Sequence, residues 1–409
     1  MTSVPLPPGL DRARLLLVAD WLAVGVAVSL PWSTTATSIL IALWLVAILL
    51  TLNTEELGRE LKIAAGYLPV LLWVLAAIGM LWADVSFAER IGGLGKFHRL
   101  LLIPLLLMQF RRSEHGIWVL YGFFASVAAL LIASWGLAVI PGLPWRGMHQ
   151  VGVPVKDYIF QSANFLLCAF ALLGCGCEAA QARQWRPAAA FAAVASLFLA
   201  NILFIVGSRT ALVVAPVLLV LLSWREFGWR GLIGACLLSS IISGAVWFES
   251  PYLRGRLATS RSELQAYRAS GATNSTSLHL EFLRKSLSFV ETAPIIGHGT
   301  GSIPEQFRNA TVGQAGAASV SSENPHNQVF AVAIQLGLVG TVVLMAMWIA
   351  HLWLFRGGGL TAWFGLLVVV QNIVSSLFNS HLFDFTSGWL YVFGVGVAGG
   401  MVLRKRNSA

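Results

Sequence analysis

Charge is what this sequence lacks. Of 409 residues, 11% are Asp, Glu, Lys or Arg, while 57% are apolar. Soluble domains carry about 25% charged residues. A deficit that large leaves too few charges to cover a water-exposed surface, so the chain reads as an integral membrane protein. Cysteine is also scarce. Cys168, Cys175, Cys177 and Cys236 all lie inside apolar runs. They read as small packing residues and imply neither a disulfide scaffold nor a metal clip. The same composition excludes disorder and collagen. No internal repeat is evident, and the first apolar run, followed closely by a second, is expected to be an uncleaved span.

What is present is apolar sequence in runs. They fall at 13–32, 35–53, 63–82, 97–110, 115–140, 159–180, 187–206, 209–224, 230–248, 326–355, 359–378 and 385–403. A span needs roughly 20 apolar residues, so twelve would take about 240. The expectation is an all-α, polytopic chain with about 12 transmembrane helices. The fourth run is short and the hinge at 207–209 is tight, which leaves eleven open. The divisions expected are 1–248 (nine spans), 249–325 (a long loop) and 326–409 (three spans and a short tail).

Net charge is +9, from 27 Lys and Arg against 18 Asp and Glu. With the N-terminus cytoplasmic, fourteen of the basic residues fall on the inner side, including Arg111, Arg112, Arg225 and Arg230. The short outer loops hold six: Arg90, Lys96, Arg99, Arg146, Lys156 and Arg209. The remaining seven lie in the loop 249–325, too long to count toward the positive-inside bias. Both ends are therefore expected inside and the long loop outside. The sixteen tryptophans, many near run ends, suit interfacial anchoring.

A structureless loop of about 77 residues would be unusual, so helices and a function are expected in it. Leu280, Leu283, Leu287 and Val290 recur at helical spacing over 276–292, with Leu278, Phe282 and Phe289 widening the stripe. Pro294 then ends the helix.

Ionisable residues at helix depth are costly, so the few that occur here are the candidates for chemistry. Arg209 sits in Val206-Gly207-Ser208-Arg209-Thr210-Ala211, a break between two apolar runs. A fixed cation beside helix-N-terminal amides makes an anion site there; the bland alternative is an arginine snorkelling to headgroups. His326 opens the tenth run in Ser322-Glu323-Asn324-Pro325-His326-Asn327. Asn324 suits a cap and Pro325 a first helical turn, and an imidazole there suits removal of a hydroxyl proton. Asn327 suits either orientation of that ring, a sugar contact, or simple capping. Gly297, Gly299 and Gly301 lie in Pro294-Ile295-Ile296-Gly297-His298-Gly299-Thr300-Gly301. Without a strand before it this is no dinucleotide loop, and a tight turn packing the loop on the bundle is expected. Glu281 lies three and four residues before Arg284 and Lys285, the spacing of ordinary helix ion pairs. Asp20, inside the first run, is the exception among the spans.

Together these features resemble the bacterial O-antigen ligase and polymerase superfamily. The resemblance rests on Ser208-Arg209-Thr210-Ala211 opening a span, the late outer loop, the turn at 294–301, His326-Asn327, and Gln335-Leu336-Gly337-Leu338-Val339-Gly340. It covers residues 206–345; the first 200 match only as a string of spans. It implies a glycosyltransferase of the bacterial inner membrane with its active site facing the periplasm. The donor implied is a glycan on undecaprenyl diphosphate, and for a ligase the acceptor is a sugar of lipid A–core. The implied partners are these two and membrane lipids, with no nucleic acid, and the reaction implied needs neither a metal nor another cofactor. The resemblance carries catalytic roles to Arg209 and His326. It also implies an important arginine in the loop, before a Leu-Glu-Phe stretch; this chain departs from that pattern with Ser277-Leu278-His279 before Leu280-Glu281-Phe282, so His279, Arg284 and Arg268 are the candidates for its work.

No pair of outer carboxylates has metal-binding spacing, so arginines are expected to neutralise the departing diphosphate. Direct attack on the anomeric carbon would invert it. The rival readings are a polymerase joining two lipid-linked glycans, a protein O-oligosaccharyltransferase, and a transporter of lipid-linked glycans. A transporter would place ionisable residues mid-span near broken helices, whereas these charges cluster at outer ends and in the loop.

Overall fold

In lipid every backbone N–H and C=O must find a partner within the protein, and a helix satisfies them locally. The structure, a computed structural model, describes residues 11–140, 150–249 and 251–408. Arg146 lies outside them. Among the described residues the regular elements are all helical. In chain order they are α1 (Arg12–Ser29), α2 (Thr34–Leu50), α3 (Thr54–Glu60), α4 (Ala64–Gly79), α5 (Phe87–Gly95), α6 (Leu102–Arg112), α7 (Gly116–Val139) and α8 (Tyr158–Gln181). There follow α9 (Trp185–Phe204), α10 (Arg209–Glu249), α11 (Pro251–Ser270), α12 (Ser275–Thr292), α13 (Ile303–Thr311), α14 (Gln328–Leu354), α15 (Leu360–Ser375) and α16 (Phe385–Ser408).

Among the described residues six helices are long and apolar enough to cross a membrane, or eight if each of two bent pairs counts as one. The pairs are α3 with α4, at 92°, and α5 with the turn and helix 98–112, at 44°. α2 and α15 are apolar but shorter. A polytopic all-α membrane protein is therefore supported, while twelve is a finer count than these lengths carry. The run at 97–110 is short because it is the second limb of a bent pair. The runs at 209–224 and 230–248 meet at Gly228, where φ 60° and ψ −146° interrupt the helix.

The bundle packs α16 against α6 and α15, α8 against α9, α1 against α2 and α7, and α14 against α4. Trp44, Trp363, Tyr391, Phe165 and Phe198 are among its largest fully buried side chains. Asp20 is packed rather than facing lipid. It accepts hydrogen bonds from Gln109 at 2.8 Å and Ser113 at 2.6 Å, and pairs with His115 at 3.1 Å. Gln109 in turn accepts from the Trp44 indole at 2.7 Å.

The loop after α10 is largely helical, as α11, α12 and α13. α12 begins one residue before the expected helix and ends with it at Thr292. Its orientation departs from the leucine pattern. Ser277, Glu281, Phe282, Lys285, Ser286 and Phe289 are buried, whereas Leu280, Leu283 and Leu287 are exposed. The buried face is chosen by partners: Phe282 and Phe289 stack edge-on against Phe307 of α13, and Lys285 donates to the carbonyls of Ala318 and Val320. Helical spacing locates a stripe but does not say whether protein or solvent covers it.

α14 is broken at Gly337, φ 60° and ψ −155°. The turn at 294–301 stitches the break. His298 N and Gly299 N donate to the carbonyls of Ile334 and Gln335, at 2.8 and 2.9 Å. Across the break, Leu338 N and Val339 N donate to Pro294 O and Ile295 O, at 2.8 and 3.2 Å. The same turn caps α4, where Gly79 O accepts from Thr300 N at 3.0 Å. The turn residues thus satisfy the helix ends that a membrane would leave orphaned. A side chain at Gly337 would put its first carbon 2.3 Å from the Ile295 backbone, so the position admits only glycine.

Candidate active site

The break between α9 and α10 presents Arg209. Ser208 caps α10, its hydroxyl accepting from Ala211 N at 3.0 Å. Ser162 of α8 donates to Val206 O at 2.6 Å and pins the approach. Arg209 stands exposed in the first turn of the helix, with no acidic partner among the described residues. Its charge reaches His279 on α12, whose imidazole is pushed below its ordinary value by desolvation first and by Arg209 second.

His326 lies between the loop and α14. Its backbone has φ 53°, a left-handed conformation that residues other than glycine seldom adopt. Such strain persists only where the surroundings over-determine it. Asn324 supplies much of that constraint. Its Oδ1 accepts from His326 N at 2.9 Å and from Ser380 Oγ at 2.7 Å, and its amide nitrogen donates to Asn379 Oδ1 at 2.7 Å. The cap of α14 is one turn later than the sequence suggests. Asn327, not Asn324, accepts from Val329 N and Phe330 N, at 2.9 and 3.1 Å, and it donates to Leu377 O.

The His326 ring packs against α12. It is stacked on Phe282, with centroids 5.5 Å apart, and meets His279 edge-on at 5.1 Å. Desolvation and His279 push its imidazole below the ordinary value, while a hydrogen bond with Asn379 and the charge of Asp384 oppose that shift. Asn379 also donates to Asp384 Oδ2 at 2.9 Å, and His381 pairs with the same oxygen at 3.1 Å. Arg99 holds this short loop from below, donating to the carbonyls of Phe383, Asp384 and Phe385.

The structure therefore brings Arg209, His279 and His326 together from three elements. Arg284 is elsewhere on α12: five residues after His279, it points about 140° away around the helix. Its side chain is 80% exposed and lies 3.8 Å from Glu281. Arg268, near the end of α11, is also exposed. Three other basic residues are engaged elsewhere. Arg308 binds Glu89 at 2.6 Å as well as Glu305, Arg90 donates to Met80 O and Val85 O, and Lys156 donates to Leu30 O. The residues around His326 that sequence reasoning missed are Asn379, Asp384 and Arg99. The available signal was a short polar stretch, Asn379-Ser380-His381 with Asp384, between two apolar runs.

Two spaces adjoin this grouping. One is a cavity of about 300 Å³ with a mixed lining, polar at Lys96, Glu323, Asn324, Ser380 and Asp384 and apolar at Ile303, Ala331, Phe383 and Phe385. The other is a mainly apolar cleft between α8, α10, α15 and α16, beside Ser208 and Thr210. Phe160, Leu166, Val214 and Leu390 line it, with Gln371, Asn372 and His381 as polar points.

Such a pairing, of a cationic helix start and a strained histidine across one helical loop, falls within a stretch that is similar to a known family. Residues 194–345 match the O-antigen ligase family. The match runs from within α9 to within α14 and supports membership of the O-antigen ligase superfamily. It contains Arg209, His279, Arg284 and His326, but neither Arg99 nor the 379–384 loop that positions His326. No curated protein matches the chain. An O-antigen ligase or polymerase type of activity in a multi-pass membrane protein is the functional class that the match supports.

Proposed function

We propose that this protein transfers a glycan from undecaprenyl diphosphate to a sugar of lipid A–core, at the periplasmic face of the bacterial inner membrane. The observation that carries the reading is the grouping of Arg209, His279 and His326, with an apolar cleft bordered by Ser208 and Thr210 and a cavity bordered by Asn324 and Pro325. The cleft suits the polyprenyl chain and the cavity suits sugars. A hydroxyl of the acceptor attacks the anomeric carbon, and its proton passes to the His326 imidazole. The bond from that carbon to the diphosphate oxygen breaks, and the electron pair leaves with the diphosphate. Arg209 meets the charge that develops there, and one displacement inverts the carbon. Burial keeps His326 unprotonated at neutral pH, which a general base requires.

In this reading His279 is the third basic residue of the site, contacting the donor beside Arg209. Arg284 and Arg268 are exposed, and the reading assigns them contact with a phosphorylated acceptor. Asn327 shapes the site through its cap rather than through a sugar contact, because its amide is already engaged.

The test is reconstitution. Purified protein is mixed with undecaprenyl-diphosphate glycan and either lipid A–core or additional donor, with a chelator present. Ligated lipopolysaccharide is the expected product. A lengthened donor would make the protein a polymerase, and loss of product with chelator would overturn the metal-independent step. Movement of lipid-linked glycan into liposomes without covalent transfer would replace the enzyme reading with transport.

A further inference from the structure

A second polar site lies at the opposite end of the bundle. Asn407 of α16 borders it, while Phe385 of the same helix borders the cavity beside His326. Twenty-two helical residues separate them, or roughly 33 Å. The site is a cavity of about 100 Å³ between α3, α6 and the end of α16, lined by Glu56, Arg59, Glu60, Arg111 and Arg112 as well as Asn407.

Two ion pairs cross it, and Arg111 also donates to Asn407 Oδ1 at 3.2 Å, yet these contacts leave buried donors and an acceptor over. Glu60 is fully buried, and one carboxylate oxygen accepts from Arg111 at 2.9 Å. The other, Oε2, has no partner among the described residues. Arg112 binds Glu56 at 2.9 Å, yet its Nη2 is buried without an acceptor, as is Arg111 Nε. The residues that line this small space thus carry, among their buried atoms, an acceptor on Glu60 and donors on Arg111 and Arg112 that lack partners. A simple anion would answer the guanidinium groups and be repelled by Glu60, whereas a simple cation would do the reverse. A zwitterion answers both.

The place selects the source. α3 stands at 92° to α4, and its sequence Thr-Glu-Glu-Leu-Gly-Arg-Glu is too polar for the hydrocarbon. It therefore lies across the end of the bundle, at the depth of lipid headgroups. We infer that this cavity binds the headgroup of an aminophospholipid of the phosphatidylethanolamine class, its ammonium on Glu60 and its phosphate on Arg111 and Arg112. The ammonium supplies N–H donors that a trimethylammonium lacks, so the site should distinguish ethanolamine from choline lipids of identical chains.

The experiment is native mass spectrometry of the delipidated full-length protein, offered equal amounts of phosphatidylethanolamine, phosphatidylcholine and phosphatidylglycerol with matched chains. Retention of the ethanolamine lipid should exceed that of the choline lipid by about tenfold, the worth of one charged hydrogen bond. Glu60→Gln, which keeps the acceptor toward Arg111 but removes the charge, should erase the preference. Equal retention of ethanolamine and choline lipids in the wild type overturns the proposal, whether or not the variant folds. So does a preference for phosphatidylglycerol, which would mark a purely anionic site. A preference that survives both Glu60→Gln and Arg112→Gln would place the lipid elsewhere. Free phosphoethanolamine retained as well as the lipid would overturn the lipid assignment.

Discussion

The imidazole of His326 lies stacked on the ring of Phe282, centroids 5.5 Å apart and planes within 13° of parallel. Phe282 belongs to the loop helix α12, while His326 leads into α14. The long loop therefore forms one wall of the candidate base. On the proposed mechanism, transfer at His326 requires that helix to be docked.

His326→Ala should lower transfer by roughly a hundredfold or more, the usual worth of a positioned base, while the protein still reaches the membrane. The wild-type pH profile supplies a second check. Because the imidazole is held below its ordinary 6.5, the base form persists into mild acid, and activity should fall only below that value as protons bind. A rate that halves well above pH 6.5 would contradict the assignment.

Asp384→Asn tests the positioning loop. The Asp384 charge raises the His326 value, so its removal should lower it further. The acid limb of the rate profile should then move to lower pH, and the plateau should fall because a weaker base remains. A purely structural loss would reduce the plateau and leave the limb where it was.

Arg209→Ala should abolish measurable transfer, and Arg209→Lys should restore part of it, since a lysine retains charge but loses the forked geometry. Removing an electrostatic stabiliser of this kind costs roughly a hundred- to a thousandfold. Donor binding measured on the inactive variant separates affinity from chemistry. Full activity in Arg209→Ala would remove the residue from the mechanism.

Gly337→Ala addresses the stitched break in α14. The added carbon would strike the Ile295 backbone and require a left-handed residue, a combined penalty on the order of 2 kcal/mol. A lowered melting temperature in detergent is expected, with loss of activity following from displacement of the 294–301 turn. Gly234→Ala, where nothing lies within 4 Å, is the neutral control.

Much of the architecture is legible in the sequence. Low charge and long apolar runs specify helices in a membrane, because lipid offers backbone groups no other partner. Arg209 and His326 stood out because each opens an apolar run beside a short polar break, where a fixed cation or an imidazole can meet a ligand at the membrane face. The helix over 276–292 and the glycine turn were readable from spacing and from residues that tolerate positive φ. The buried face of α12 was not readable, since its leucines and its polar residues both recur at helical spacing.

The sequence by itself determined a helical membrane protein, with a cation at one break and a histidine at another. Tertiary structure decided which groups meet. It chose His279 over Arg284 as the neighbour of His326, because five residues along a helix turn a side chain away. It added Asn379, Asp384 and Arg99, which lie 53 or more residues from His326 or follow it in a separate loop. Contacts of that range arise from how helices pack, and no local spacing records them.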